Sequence, residues 1–337
     1  MVNREINFSL WLDFIERDYL KNEFKKLLAD GVVNGATSNP SIFASSIAKS
    51  PAYKEQLESL EGRSPKEKYE ALAIEDIRSA AQALRPLYDD GNDGFISIEV
   101  DPFLCNDTKG TVEEGKRLFK AIGEPNVMIK VPATQAGYEA MTALMEDGIS
   151  VNATLIFSPK QAKQCITAMS SGISKCEANG SCRVAGVISV FVSRFDRLLD
   201  SELEESGITP AKTGIYNAAK IYNMIEAHDV PNIRTLFAST GVKGDALPAN
   251  YYIAGLMANH SVNTAPLATI EAHIQTEDSE VVLPIEDSVI NGYFVNLEDN
   301  GFNMEKIYKE LLDDGLIAFE KAFQEMLDSL EDSVAVE

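Results

Sequence analysis

The stretch Val127-Met128-Ile129-Lys130-Val131-Pro132-Ala133-Thr134 reads as a buried strand that carries one lysine near its end and is stopped by a proline. A short apolar run rich in β-branched residues fits a strand of a parallel sheet covered on both faces. Lysine is rarely fully buried, so Lys130 taken alone reads as a strand-end ammonium in water. The sharper reading holds it in a dry pocket with a lowered pKa, able to attack a carbonyl and form a Schiff base. The other strands decide between the two.

Outward from this strand, short apolar runs alternate with longer amphipathic stretches. Further strands are predicted at 10–14, 34–37, 95–100, 150–157, 184–190, 234–238 and 261–264. Helical spacing is found at 18–28, 40–50, 52–60, 65–88, 108–122, 136–145, 159–176, 194–206, 211–228 and 249–257. A closing helix is predicted at about 302–330, and 275–300 is its poorly defined approach. Eight strand-then-helix units with no break in composition predict an α/β fold, one closed (β/α)₈ TIM barrel. It would occupy 1–337 as a single domain, with additional helices in its N- and C-terminal regions. An open doubly wound sheet is the alternative, but the dinucleotide and phosphate-loop glycine fingerprints are both missing. The acidic loop 89–94 fails as a calcium site because Gly91 and Val100 stand where oxygen ligands are needed.

A net charge of −22 with pI near 4.6 leaves no basic stripe to neutralise phosphates. Nucleic acid and anionic membrane are therefore not expected as partners, and any phosphate site must be built locally against the mean field. The opening residues lack signal-peptide character, and no apolar run approaches the roughly 20 residues of a membrane span. Cys105, Cys165, Cys176 and Cys182 lack Cys-x-x-Cys spacing, which predicts a reduced, cytoplasmic protein with buried or idle thiols. The sequon Asn179-Gly180-Ser181 is then a chance match.

Barrel strands alternate between residues facing the helices and residues facing the interior. In 95–100, Ile96, Ile98 and Val100 share one face and Glu99 sits late on the other. Asp13 stands opposite Leu10, Leu12 and Phe14; Asn152 shares a side with Thr154, and Ser189 with Phe191. Lys130 takes the matching place on its own strand. Polar side chains late on five strands would converge at the C-terminal mouth, where this fold places its chemistry. Asp13, Glu99 and Lys130 would there supply the partners that buried charges require. A structural ion-pair cluster is the competing account.

With these residues assembled, the chain resembles the transaldolase family from about Asp13 to about Glu271. Five motifs carry the resemblance: Gly35-Ala36-Thr37-Ser38-Asn39-Pro40-Ser41, Ile98-Glu99-Val100-Asp101-Pro102, Met128 to Thr134, Val151 to Ser158, and Ser189-Val190-Phe191-Val192-Ser193-Arg194. The resemblance implies a (β/α)₈ barrel of the pentose phosphate pathway that moves a dihydroxyacetone unit between sugar phosphates. The implied donors are sedoheptulose 7-phosphate or fructose 6-phosphate, and the acceptors glyceraldehyde 3-phosphate or erythrose 4-phosphate. No cofactor and no metal are implied.

Position by position, Lys130 matches the Schiff-base lysine, and Asp13 the carboxylate that takes the C4 hydroxyl proton as C3–C4 breaks. Glu99, with Thr154 and a bound water, matches the group that moves protons during carbinolamine dehydration. Asn39, Asn152 and Ser189 match ligands of the dihydroxyacetone hydroxyls, with Thr37 in the same wall, and Arg194 matches a phosphate-binding arginine. The common branch has a second arginine near the position of Gly241; here Ser239 and Lys243 are expected to take the phosphate instead. Dimers are usual among relatives, so a homodimer is compatible with the resemblance.

The nearest rival, fructose 6-phosphate aldolase, releases dihydroxyacetone to water and carries a tyrosine where Phe191 stands. A phenol there can position water and phenylalanine cannot, which favours transfer. A silent sugar-phosphate-binding barrel is a rival from another class. A metal-dependent aldolase is disfavoured, since His228, His260 and His273 lie far along the sequence from Asp13 and Glu99.

Overall fold

The computed structural model describes residues 1–180, 182–276 and 280–332. Its strands are β1 (Phe8–Asp13), β2 (Gly35–Thr37), β3 (Ile96–Glu99), β4 (Val127–Pro132), β5 (Ser150–Ile156), β6 (Gly186–Phe191), β7 (Ile233–Ala238) and β8 (Ser261–Ala265). Each pairs in parallel with the next, and β8 returns to β1, so the sheet closes in sequence order as the alternation predicted.

The helices between them are α1 (Arg17–Lys21), α2 (Glu23–Ala29), α3 (Pro40–Lys49), α4 (Lys54–Ser59), α5 (Pro65–Asp89), α6 (Thr108–Ile122) and α7 (Gln135–Glu146). The second half adds α8 (Pro159–Ala178), α9 (Ser193–Glu205), α10 (Thr213–Glu226), α11 (Tyr251–Ala254), α12 (Leu267–Thr276), α13 (Asp287–Asp299) and α14 (Met304–Asp332). Among the described residues no helix is long and apolar enough to cross a membrane.

Local chemistry turns the chain at the C-terminal ends of the strands. After β2, Asn39 accepts a hydrogen bond from the amide of Ile42 and Pro40 opens α3. After β5, Ser158 and Gln161 form a reciprocal capping box, again with proline in the first turn. Thr134 caps α7 by accepting a hydrogen bond from the Gly137 amide. Side-chain acceptors satisfy helix amides that would otherwise be orphaned, so these turns stay short. Helix N-termini, with their partial positive charge, are thereby gathered around one rim of the barrel.

The opposite, N-terminal end is blocked by side chains. Arg234, near the start of β7, pairs with Asp93 at 2.7 Å and donates to Ser9. Trp11 Nε1 donates to the other Asp93 oxygen at 2.7 Å. Gly35 is required beside them, since a Cβ there would lie 2.4 Å from the indole nitrogen.

Three expectations need correction. The helix predicted at 18–28 is two, broken at Asn22, whose φ and ψ of −119° and −84° are not helical. The helix predicted at 249–257 shrinks to α11, ended by Gly255. The stretch 275–300 contains α13, held by Ile290, Phe294 and Leu297. Its signal was diluted because Val289 and Val295 face solvent and spread the apolar positions around the helix.

The thiol expectation is also overturned in part. Cys176, in the last turn of α8, is disulfide-bonded to Cys182, with Cα atoms 5.6 Å apart. The chain turns back after α8 and brings the two together, which a search for Cys-x-x-Cys spacing does not detect. Cys105 and Cys165 are free and buried, as expected. Ser181, and with it the sequon, lies outside the described residues, as does part of 275–300.

Candidate active site

A cavity of about 270 Å³ opens at the C-terminal mouth. Asp13, Thr37, Asn39, Lys130, Asn152, Thr154, Ser189, Phe191, Arg194 and Ser239 all line it. They come from β1, β2, β4, β5, β6, the turns that follow β2 and β7, and the start of α9, so residues far apart in sequence share one chamber.

Lys130 is 7 % exposed, held between β3 and β5 in register with Glu99 and Asn152. Its Nζ donates to the Ser38 carbonyl at 3.2 Å and lies 3.8 Å from Glu99 Oε2. That distance is too long for a hydrogen bond. Both Glu99 oxygens and the Thr154 hydroxyl are buried without a hydrogen-bond partner among the described residues. Burial raises the Glu99 carboxyl to about 7, opposed by the charge of Lys130 and reinforced by that of Asp13. Burial also raises Asp13, against the charge of Lys130 and a 2.7 Å hydrogen bond from Thr37. The Thr37 hydroxyl is itself 2.7 Å from that of Thr264.

The amides are oriented before any ligand arrives. Asn152 Oδ1 accepts from Ser189 at 2.6 Å while its Nδ2 donates to Ser97 at 3.1 Å, leaving one N–H for another acceptor. Asn39 Oδ1 is used in capping α3, so its amino group is the part left over. Immediately after Thr154 the ladder slips: Ala153 faces Ile188, yet Ile156 faces Val190. This one-residue bulge places Leu155 at φ +59°, a conformation that a branched side chain adopts only when its surroundings impose it.

At the other side of the chamber Arg194 opens α9 with no carboxylate within ion-pair reach among the described residues, its guanidinium 5.1 Å from the Phe191 ring centroid. Ser239, at φ +55°, shares a 3.0 Å hydroxyl contact with Ser193 beside it. Lys243 is exposed on the loop after β7 and is not among the residues that line the chamber.

A lysine flanked by two carboxyls held above their usual range, beneath an arginine with no ion pair among the described residues, suits Schiff-base chemistry on a phosphorylated carbonyl compound. Comparison of sequences decides the lineage: a sequence model of the Transaldolase/Fructose-6-phosphate aldolase family matches residues 10–330. The chain belongs to that family. The protein named Transaldolase of Campylobacter jejuni subsp. doylei is 47 % identical over 332 residues, covering 96 % of this chain and 99 % of its own. That of Helicobacter pylori is 44 % identical over 323 residues, with the same coverage.

The match runs well past the stretch ending near Glu271 on which the resemblance was read, through α13 and into α14. There lie two further residues of this transaldolase-family chamber, Ala318 and Phe319. Ser41 and Thr264 also line it without having been singled out, and Ser97 orients Asn152 from below. The parity that revealed Glu99 also applies to Ser97, two residues earlier on β3, so that one was within reach. Phe319 was not, because a helix pattern shows which face is buried but not what it covers.

Proposed function

We propose that this chain is a transaldolase that carries a dihydroxyacetone unit on Lys130 from a ketose phosphate to an aldose phosphate. The observation that supports this most is the grouping of Lys130, Glu99 and Asp13, with Glu99 raised to about 7. Glu99 takes a proton from Nζ, and the free amine attacks C2 of the ketose. Glu99 and the Thr154 hydroxyl hold a water through which protons reach and leave the carbinolamine oxygen as the iminium forms. The iminium draws the electron pair of the C3–C4 bond as Asp13 takes the C4 hydroxyl proton, and the shortened aldose departs. Adding the acceptor aldehyde runs the same steps in reverse.

Asn39, Asn152 and Ser189, with Thr37 in the wall, hold the hydroxyls of the three-carbon unit. Arg194 takes the phosphate at the start of α9, helped by the Ser239 hydroxyl and the helix N-terminus. Lys243, exposed on its loop, serves at most as an outer attraction for the incoming anion. Phe191 offers no hydroxyl to position water, which goes with transfer rather than release. A cytoplasmic location goes with this reading. Borohydride reduction in the presence of fructose 6-phosphate should leave an adduct on the peptide carrying Lys130; an unmodified Lys130 would end the proposal.

A further inference from the structure

We propose that Phe319 sets the balance between transfer and loss of the three-carbon unit to water, an inference that rests on the Lys130 Schiff base. α14 is fastened to the barrel at both of its ends. At one end the Tyr308 hydroxyl donates to Asn217 Oδ1 at 3.0 Å, and its ring packs edge-on to Phe195. At the other, Phe323 meets Tyr69 edge-on at 5.5 Å, and the Leu330 carbonyl accepts from Lys68. The helix is thus tied to both sides of the barrel, and its middle crosses the mouth.

Leu311, Gly315, Phe319 and Phe323 recur every fourth residue along its inward side. Phe323 finds an aromatic partner on the barrel; Phe319 instead lines the chamber, its ring centroid 5.7 Å from Lys130 Nζ. It has no hydrogen-bonding atom. A water against that ring gains no partner from it, so Phe319 denies water a place on the α14 side of the chamber. Glu99 and Thr154 keep the one water that the carbinolamine steps use.

That matters once the first aldose has left. The remaining enamine can attack the acceptor aldehyde, or its C3 can take a proton from water. In the second case the hydroxide left behind adds to C2 of the resulting iminium, the C–N bond breaks, and dihydroxyacetone and the lysine amine are released with one water consumed. Phe191 restrains this from the β6 side and Phe319 from the helix above. The two rings belong to different parts of the fold and act on the same intermediate.

The test measures free dihydroxyacetone formed from fructose 6-phosphate without acceptor, relative to the rate of transfer with acceptor. Phe319→Ala and Phe319→Tyr should raise that ratio about tenfold, a change of one decade in relative barrier. Phe319→Leu, apolar and of similar bulk, should stay near the parent value. A merely structural role would lower both rates together and leave the ratio alone, so an unchanged ratio in Phe319→Tyr overturns the inference, even if the alanine variant fails to fold. Borohydride trapping on the parent protein separates the layers. A Lys130 adduct with an unchanged ratio in the variants sinks this inference alone, whereas no adduct on Lys130 sinks the reading beneath it as well.

Discussion

Glu99 is one of the buried carboxyls whose surroundings set the pH behaviour, beside Asp13, Asp76 and Asp196. Its carboxyl rises from the ordinary 4.5 to about 7 because burial penalises the anion more than Lys130 rewards it. The folded protein therefore holds a proton that the unfolded chain releases, and the linked stability is lost as pH rises from about 4.5 through 7. Glu99→Gln should flatten that part of the stability curve, followed by thermal melts across pH 5–8. It should also lower kcat by about 10²- to 10⁴-fold, the usual worth of a positioned acid–base group. The same variant should lose the ionisation near pH 7 from its rate profile, while borohydride still reaches Lys130. A variant with the parent's pH profile would remove Glu99 from the proton path.

The late polar residues of β1, β3, β4, β5 and β6 were legible in the sequence because strand alternation is strict, and one odd residue among apolar neighbours stands out. Lys243 shows the limit of that logic. It follows β7 on a loop where no periodicity constrains direction, and a positive charge near the expected place was all that suggested it.

At the scale of elements, α14 is where the sequence said least and the structure adds most. Gly315 lets it settle: a Cβ there would lie 3.0 Å from Leu155 Cδ2 and 3.3 Å from Arg194 Nη1. Alanine is the better helix former by about 1 kcal/mol, so Gly315→Ala should not lower the melting temperature through propensity. It should push the guanidinium aside and raise KM for phosphorylated substrates several-fold with less effect on kcat. Unchanged KM would mean that Arg194 yields without cost or binds no phosphate.

The bulge at Leu155 was equally hidden, since Val151-Asn152-Ala153-Thr154-Leu155 alternates as an ordinary strand would. The Cys176–Cys182 bond closes only a short loop. Replacing both cysteines with serine should cost about 2 kcal/mol by loop-closure entropy. Thiol titration of the denatured, unreduced chain should find the two free cysteines, Cys105 and Cys165.

For the whole molecule, the barrel divides its labour between two ends. Asp93 and Arg234, with side chains 3 % and 12 % exposed, form a buried pair at the N-terminal end, far along the strands from Lys130. Asp93→Ala would strand the guanidinium and the Trp11 N–H, and should destabilise the fold by about 3–5 kcal/mol in denaturant titrations. The folded fraction should keep the parent's KM. A change in KM with little loss of stability would show that the two ends are coupled. The closed topology itself was plain from eight alternating units, whereas this plug was not. Asp93 sits in an acidic loop read from the sequence only as a failed calcium site, and Trp11 and Arg234 claim both its oxygens.

Among the described residues, that plug fills the far end of the barrel, and the reaction chamber opens at the C-terminal mouth. Donor and acceptor cannot queue at opposite entrances or sit side by side in about 270 Å³ already narrowed by α14. The first aldose has to walk out before the second walks in, while the protein alone keeps hold of the fragment. Initial-rate plots at several fixed acceptor concentrations should accordingly give parallel lines, the mark of partners that never meet.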